Sequence, residues 1–353
     1  MRWSRQAVVV PSPGITQGGP LPTVAWVTLR YSAHVRLRTI SNGRSAARMK
    51  SLRLHLADAG QRWRGFWFHP VAPELYALLR IALGTVACVD LLGMSDLGAF
   101  WLPSGLAGPP SATLAQIVAD AGSGAIAWGY LLYAFTAVAF AAFTLGVGTR
   151  WATLAAFLAS MARLYWTPLP LSSAHNLLHA LLFCLLWVDS GAAWSFDAWR
   201  RHRLGGCRPV TDIWPLFLLR VQLSVLYVAA GVWKLMEPDW RDGSALHWIL
   251  QDNGFSRMPA VLPPSFEPAA SFLTHLTLAW ELGFPLLVLF RRSRLLALLL
   301  GVVLHGGMAI AMELGPFSAV VLAGYLAFLD PEFVSAIAQT WPFRSRIQPV
   351  SGH

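Results

Sequence analysis

Between residues 74 and 332 the chain returns repeatedly to apolar runs such as "LLALLLGVVLHGGMAIAM" at 295–312. A helix that crosses a hydrocarbon core of about 30 Å needs roughly 20 mostly apolar residues, and it must satisfy every backbone polar group within itself. Runs of this length leave a bundle of membrane helices as the architecture. Eight spans are expected, at about 74–93, 125–147, 151–167, 174–190, 214–236, 271–290, 295–313 and 316–332. The fold class is therefore all-α, a polytopic integral membrane helical bundle of about eight transmembrane helices. Charge content agrees: 12% of the 353 residues are charged, against about 25% in an ordinary soluble domain.

The flanks are different material. Residues 1–70 are rich in Pro, Gly, Ser and Arg, with no run long enough to span and no signal-peptide core followed by a cleavage site. A disordered basic cytoplasmic arm is expected there, with Met49 as a second candidate start. The membrane domain follows over 71–333, then a short tail over 334–353. The net charge of +10 is read as topology rather than as nucleic-acid binding, because no aromatics interleave the arginines. With the N-terminus inside, the non-membrane segments of that side collect 21 Lys and Arg, against Arg241 and Arg257 on the other. By the retention of basic residues in the cytoplasm, both termini are expected inside, in a multi-pass protein of the cell membrane. Trp151, Trp187, Trp194 and Trp214 then mark inner span ends, and Trp128, Trp166, Trp233 and Trp240 outer ones. Cys88, Cys184 and Cys207 have neither disulfide nor zinc spacing.

Several polar side chains interrupt the spans. In "RVQLSVLYVAAGVWKL", Arg220, Ser224, Tyr227, Gly231 and Lys234 follow at steps of 4, 3, 4 and 3, which places them on one helix face. At about 1.5 Å per residue the two cations stand roughly 21 Å apart, near opposite leaflets. A charge in such a helix costs on the order of 3 kcal/mol, so it normally faces protein or a wet cavity and marks function. Snorkelling to the interface is the alternative for Lys234 taken alone. Arg220 is expected to pair with an acidic side chain or a lipid headgroup. Arg80 and Asp90, with Arg163 and Asp189, read as scaffold ion pairs. His175 and His179, four apart, lack a third ligand, so no metal is expected. Glu281 and His305 fall near mid-depth in their spans. Lys234 and His175 fall at one level, and an amine in an apolar pocket is a candidate general base.

Three stretches carry a resemblance: "AHNLLHALLFCLLWVDSGAAWSFDAWRRHR", "WPLFLLRVQLSVLYVAAGVWKLMEPDWRDG" and "LHGGMAIAMELGPFSAVVLAGYLAFLDPE". Their most specific part is W-x5-R-x-Q-x4-Y-x3-G-x2-K-L with a following D-W-x2-G, here Trp214, Arg220, Gln222, Tyr227, Gly231, Lys234, Leu235, Asp239, Trp240 and Gly243. The chain resembles the horizontally transferred transmembrane (HTTM) domain family, which includes the membrane domain of vitamin K-dependent gamma-carboxylases. The resemblance implies that Lys234 is the base that deprotonates a reduced quinone, of menaquinol or vitamin K hydroquinone type, with His175 assisting. Oxygen then turns the quinol into a strong base that takes a proton from a peptide glutamate, and carbon dioxide adds. The carboxylases carry a large extra-membrane domain after the helices; here about twenty residues follow Pro331, so peptide-glutamate carboxylation is a weaker expectation than quinol chemistry at Lys234.

The expected function is thus a gamma-carboxylase-like membrane protein, a quinol-dependent carbon-carbon lyase if it is an enzyme. Lys234, His175 and His305 are the candidate catalytic residues, and Tyr227, Gly231, Trp233, Gln222 and Glu281 the candidate ligand contacts. The alternative is a non-catalytic maturation or immunity factor for a secreted peptide. A transporter ranks third, since the two halves show no repeat. Beyond the lipid bilayer, the expected partner is a small lipid-soluble substrate or a secreted peptide.

Overall fold

The computed structural model describes residues 55, 58–96, 123–166, 173–257 and 262–340. The chain divides into two units, Met1–Phe66 and Trp67–His353. In the first, residues 58–66 are helical, with an Arg62–Asp58 ion pair one turn apart. Most of the expected arm, the tail from 341, and residues 97–122 between the first two expected spans lie outside the described residues.

Among the described residues, the regular structure of the second unit is helical apart from one two-stranded ribbon and an isolated bridge between Ser256 and Met312. In chain order it holds β1 (Pro70–Val71), α1 (Glu74–Gly93), α2 (Ser123–Leu145), α3 (Thr149–Trp166), α4 (Ser173–Leu185), α5 (Phe196–Arg203), β2 (Thr211–Asp212) and α6 (Trp214–Met236). Then come α7 (Pro238–Asp242), α8 (Ala245–Gln251), a 3-10 turn at Pro264–Phe266, α9 (Glu267–Leu289), α10 (Arg291–Ala311), α11 (Phe317–Tyr325), a 3-10 turn at Leu326–Phe328 and α12 (Pro331–Thr340).

Helix α1 lies at the centre. Leu75, Leu79, Leu83, Ala87 and Leu91, four apart, form a fully buried stripe, as expected of a helix face turned to protein. It packs on α2, α4, α11 and α12, while α9 packs on α6 and on α10. The outer surfaces carry exposed Val, Leu, Ile and Phe instead of charges, the arrangement of a chain whose solvent is lipid.

Among the described residues, five helices are long and apolar enough to cross a membrane: Glu74–Gly93, Ile126–Leu145, Trp214–Met236, Pro264–Leu289 and Arg291–Ala311. Phe317–Phe328 and Pro331–Gln339 make a sixth only if taken together, and they are bent by 93°. Five of the eight expected spans, at 74–93, 125–147, 214–236, 271–290 and 295–313, coincide with these helices. Run length hides helix breaks: the expected span at 316–332 stops before Pro331 because the residue preceding a proline is disfavoured in helix. The expected span at 174–190 is helical for only 13 residues, about 20 Å.

Several expected ion pairs are replaced. Arg80, with 0% exposure, reaches three carbonyls, Phe143 and Thr144 at the end of α2 and Trp194 beyond α4. The last carbonyls of a helix have no partner within it, so one guanidinium with five donors serves them efficiently. Arg220 donates to the carbonyls of Ala327 at 2.8 Å and Leu329 at 3.5 Å, where an acidic side chain or lipid was expected. Asp189 faces Arg201 at 3.6 Å, and Asp90 joins Arg163 and His175.

Candidate functional site

The polar face of α6 turns into the bundle. At its end, the Lys234 ammonium meets Glu281 Oε1 of α9 at 2.5 Å and lies 5.0 Å from the centre of the Trp240 ring in α7. Its side chain is 24% exposed and that of Glu281 10%, so the pair sits at the edge of the packed interior. One turn earlier, a Cβ on Gly231 would press into Leu282 and approach Glu281; the absence of a side chain there lets α9 come close enough for the pair to form.

One further turn along, Tyr227 is buried with its hydroxyl 2.6 Å from Tyr325 Oη and 2.8 Å from His305 Nε2. Trp280 and Phe284 of α9 enclose the ring, with centroids at 4.6 and 4.4 Å. Trp280 donates to the Ala297 carbonyl of α10 at 3.1 Å. At Gly301 a Cβ would overlap Tyr325 and Trp280. The cluster therefore joins four helices, α6, α9, α10 and α11, through side chains that spacing along any one of them does not connect.

Two buried polar atoms here have no partner among the described residues: Glu281 Oε2 and His305 Nδ1. Tyr227 has one hydroxyl hydrogen, so His305 Nε2 either accepts it or donates to its oxygen; in both tautomers Nδ1 stays unused. Pro285 in α9 has no N–H to offer the carbonyl of Glu281 four residues before it. Unused polar groups inside an apolar bundle are expensive, and water or a bound group is the usual partner for them.

His175 belongs to a second cluster. Its Nε2 is 2.9 Å from Asp90 Oδ2, and Arg163 approaches the same oxygen to 3.5 Å. All three side chains are buried, and they join α1, α3 and α4. The ion pairs thus give His175 to Asp90 and Lys234 to Glu281, where the two had been expected to act together. His179 stacks on Phe157 at 4.4 Å.

Of the expected ligand contacts, the structure gathers Tyr227, Gly231 and Glu281 around Lys234 and His305. Trp233 is 68% exposed and points out of the bundle. Gln222, half-buried, stands two residues after Arg220, about 200° around the helix and so on the far side of α6. Trp233 is the neighbour of Lys234 in sequence and Gln222 a member of the family string, but helical geometry turns both away from the site. Trp280, Phe284 and Tyr325 were not foreseen. Trp280 had a signal in its place beside Glu281, while Tyr325, on another helix, had none.

Helices of this length and apolarity, with their cations and carboxylates turned inward, define a multi-pass α-helical membrane protein. The family model for the HTTM domain matches residues 68–333, and the chain belongs to the HTTM family. No solved structure matches it.

Proposed function

We propose that this HTTM protein is a gamma-carboxylase-like membrane enzyme in which Lys234 and Glu281 together take a proton from the hydroxyl of a lipid-soluble ligand, a reduced quinone or similar phenol. The observation that carries this reading is the coincidence of two unpaired buried polar atoms, Glu281 Oε2 and His305 Nδ1, with the Tyr227–Tyr325 hydroxyl pair and an aromatic wall. Such a set of residues fits a hydroxylated ring, which brings apolar faces and a few hydrogen-bonding edges. When bound, the quinol supplies an acidic hydroxyl and two reducing equivalents, with oxygen as their acceptor.

The protein's part is to position and to move a proton. Transfer from Lys234 Nζ to Glu281 Oε1 across their contact leaves a neutral amine whose lone pair accepts the hydroxyl proton. The ammonium so formed stays beside the developing oxyanion and stabilises it. Tyr227 and His305 hold the far side through their hydrogen bonds, and His175, oriented by Asp90, serves the same outer end of the bundle. In this reading Lys234 opens to the outside, with both termini cytoplasmic.

The test is oxygen-dependent oxidation of menaquinol by the purified protein in nanodiscs. Wild type turns over, and Lys234→Met and Glu281→Gln do not. Absence of any quinol reaction in folded wild-type protein would instead favour a non-catalytic component acting with a secreted peptide.

A further inference from the structure

At the end of the bundle that bears the basic loops, the structure holds a cavity of about 410 Å³, within the range of small-molecule sites, about 300–1,000 Å³. It lies between the first turn of α3, the segment that follows α4, and α5. Arg150 and Trp151 come from the first, Trp187 and Asp189 from the second, and Arg201 from the third.

The charges in the lining divide into used and unused. Asp197, also at the wall, is fully engaged: Oδ1 accepts from the Gly148 amide at 2.9 Å, and Oδ2 from the Thr149 amide and hydroxyl at 2.6 and 2.7 Å. Asp189 is different. Its Oδ1 accepts from the Gly191 amide at 3.0 Å, but Oδ2 stands 3.6 Å from Arg201, beyond good hydrogen-bond length. A carboxylate oxygen and a guanidinium thus face one cavity with capacity left, and the exposed Arg150 adds a second cation.

Its depth follows from the surroundings. Trp151, Trp187 and Trp199 are exposed at this end, where indole rings settle at headgroup level. Helix α5 turns Phe196 and Trp199 outward as a ring pair at 5.3 Å with Arg203 over the indole, and turns Asp197 and Arg201 inward. A short basic helix divided in this way lies in the interface with its apolar face toward lipid.

We propose that this cavity binds the headgroup of a zwitterionic phospholipid ending in a primary ammonium, with the phosphate on Arg201 and Arg150 and the ammonium on Asp189. A guanidinium pairs with phosphate through parallel hydrogen bonds. An ethanolamine-type ammonium has N–H groups to give Asp189, whereas a trimethylated one has none. The two carboxylates in the wall disfavour headgroups of net negative charge. The site stands apart from Lys234 and does not depend on its chemistry.

Native mass spectrometry of the full-length protein, equilibrated in detergent with equimolar phosphatidylethanolamine, phosphatidylcholine and phosphatidylglycerol, tests it. Wild type should retain phosphatidylethanolamine about tenfold over either competitor, the ratio expected from one charge-assisted hydrogen bond. Asp189→Asn keeps an acceptor for the Gly191 amide, so the fold is preserved; it should lose the preference while still retaining phospholipid. Arg150→Ala changes an exposed side chain and should reduce retention of all three. Equal retention by wild type, preference for phosphatidylcholine or phosphatidylglycerol, or an unchanged preference in Asp189→Asn would overturn the proposal.

Discussion

In a segment where a lone charge costs on the order of 3 kcal/mol, Lys234 and Glu281 hold each other at 2.5 Å. Breaking such a pair from one side leaves the other charge stranded, which costs more than removing both. Lys234→Met should therefore lower stability by about 1–3 kcal/mol, a modest figure because the lysine is partly exposed. The double variant Lys234→Met with Glu281→Leu should recover most of that loss in chemical denaturation in detergent. Additive losses would show that the contact carries no coupling. Tyr227→Phe removes the hydroxyl that both Tyr325 and His305 use and should cost about 1–3 kcal/mol in the same assay; no change would mean that the hydroxyl chain is not formed. The Arg220-to-Lys234 stripe was legible because helical periodicity is a local property. Glu281 as the lysine's partner, and Tyr325 as the tyrosine's, depend on which helices meet, and spacing within one helix does not encode that.

Between elements, the α2–α3 turn is fixed from outside. Gly146 and Gly148 have φ of +70° and +55°, a region that glycine enters without steric cost, and Asp197 of α5 then binds the first amides of α3. Burial of Asp197 opposes its charge, but the hydrogen bonds from the Thr149 amide and hydroxyl and the Gly148 amide, with Arg201 nearby, outweigh it and hold the carboxyl below its ordinary value. The lowered value sets the sign: the contribution is complete above the unfolded value near 4 and is lost as pH falls through the folded one. Wild type should lose stability on acidification through that window, and Asp197→Asn should be less stable at neutral pH with a flatter acid limb. A parallel acid limb in the variant would refute this role. At the other contact, Gly301→Ala places a methyl against Tyr325 and Trp280 and should destabilise by about 1–3 kcal/mol through overpacking, seen as a lower thermal midpoint. Helix identity at α1, α6, α9 and α10 was legible from apolar run length. Where a helix breaks inside a run was not, because the run continues through Leu329–Asp330–Pro331 while the helix bends there by 93°.

For the whole molecule, we propose from the distribution of basic residues that the loops on either side of α6 face opposite compartments, with the 186–213 loop inside. Cys207 is exposed on that loop. In intact cells it should resist a membrane-impermeant maleimide until the membrane is opened, while a cysteine placed at Asp252 should react at once; the opposite pattern would invert the topology. The membrane class was readable from run length and the family from the α6 string, since both are written contiguously in the chain. Of the site, the α6 residues, Glu281 and His305 were readable one by one as polar interruptions of apolar runs, but not which of them would meet. The most direct measurement of the central claim, that Lys234 and Glu281 are a proton-accepting pair for a lipid-soluble hydroxyl, is oxygen-dependent menaquinol oxidation in nanodiscs. Lys234→Met and Glu281→Gln, each confirmed as folded, should each fall at least about a hundredfold, the scale of a lost general base. Turnover within about twofold of wild type in either variant would contradict it.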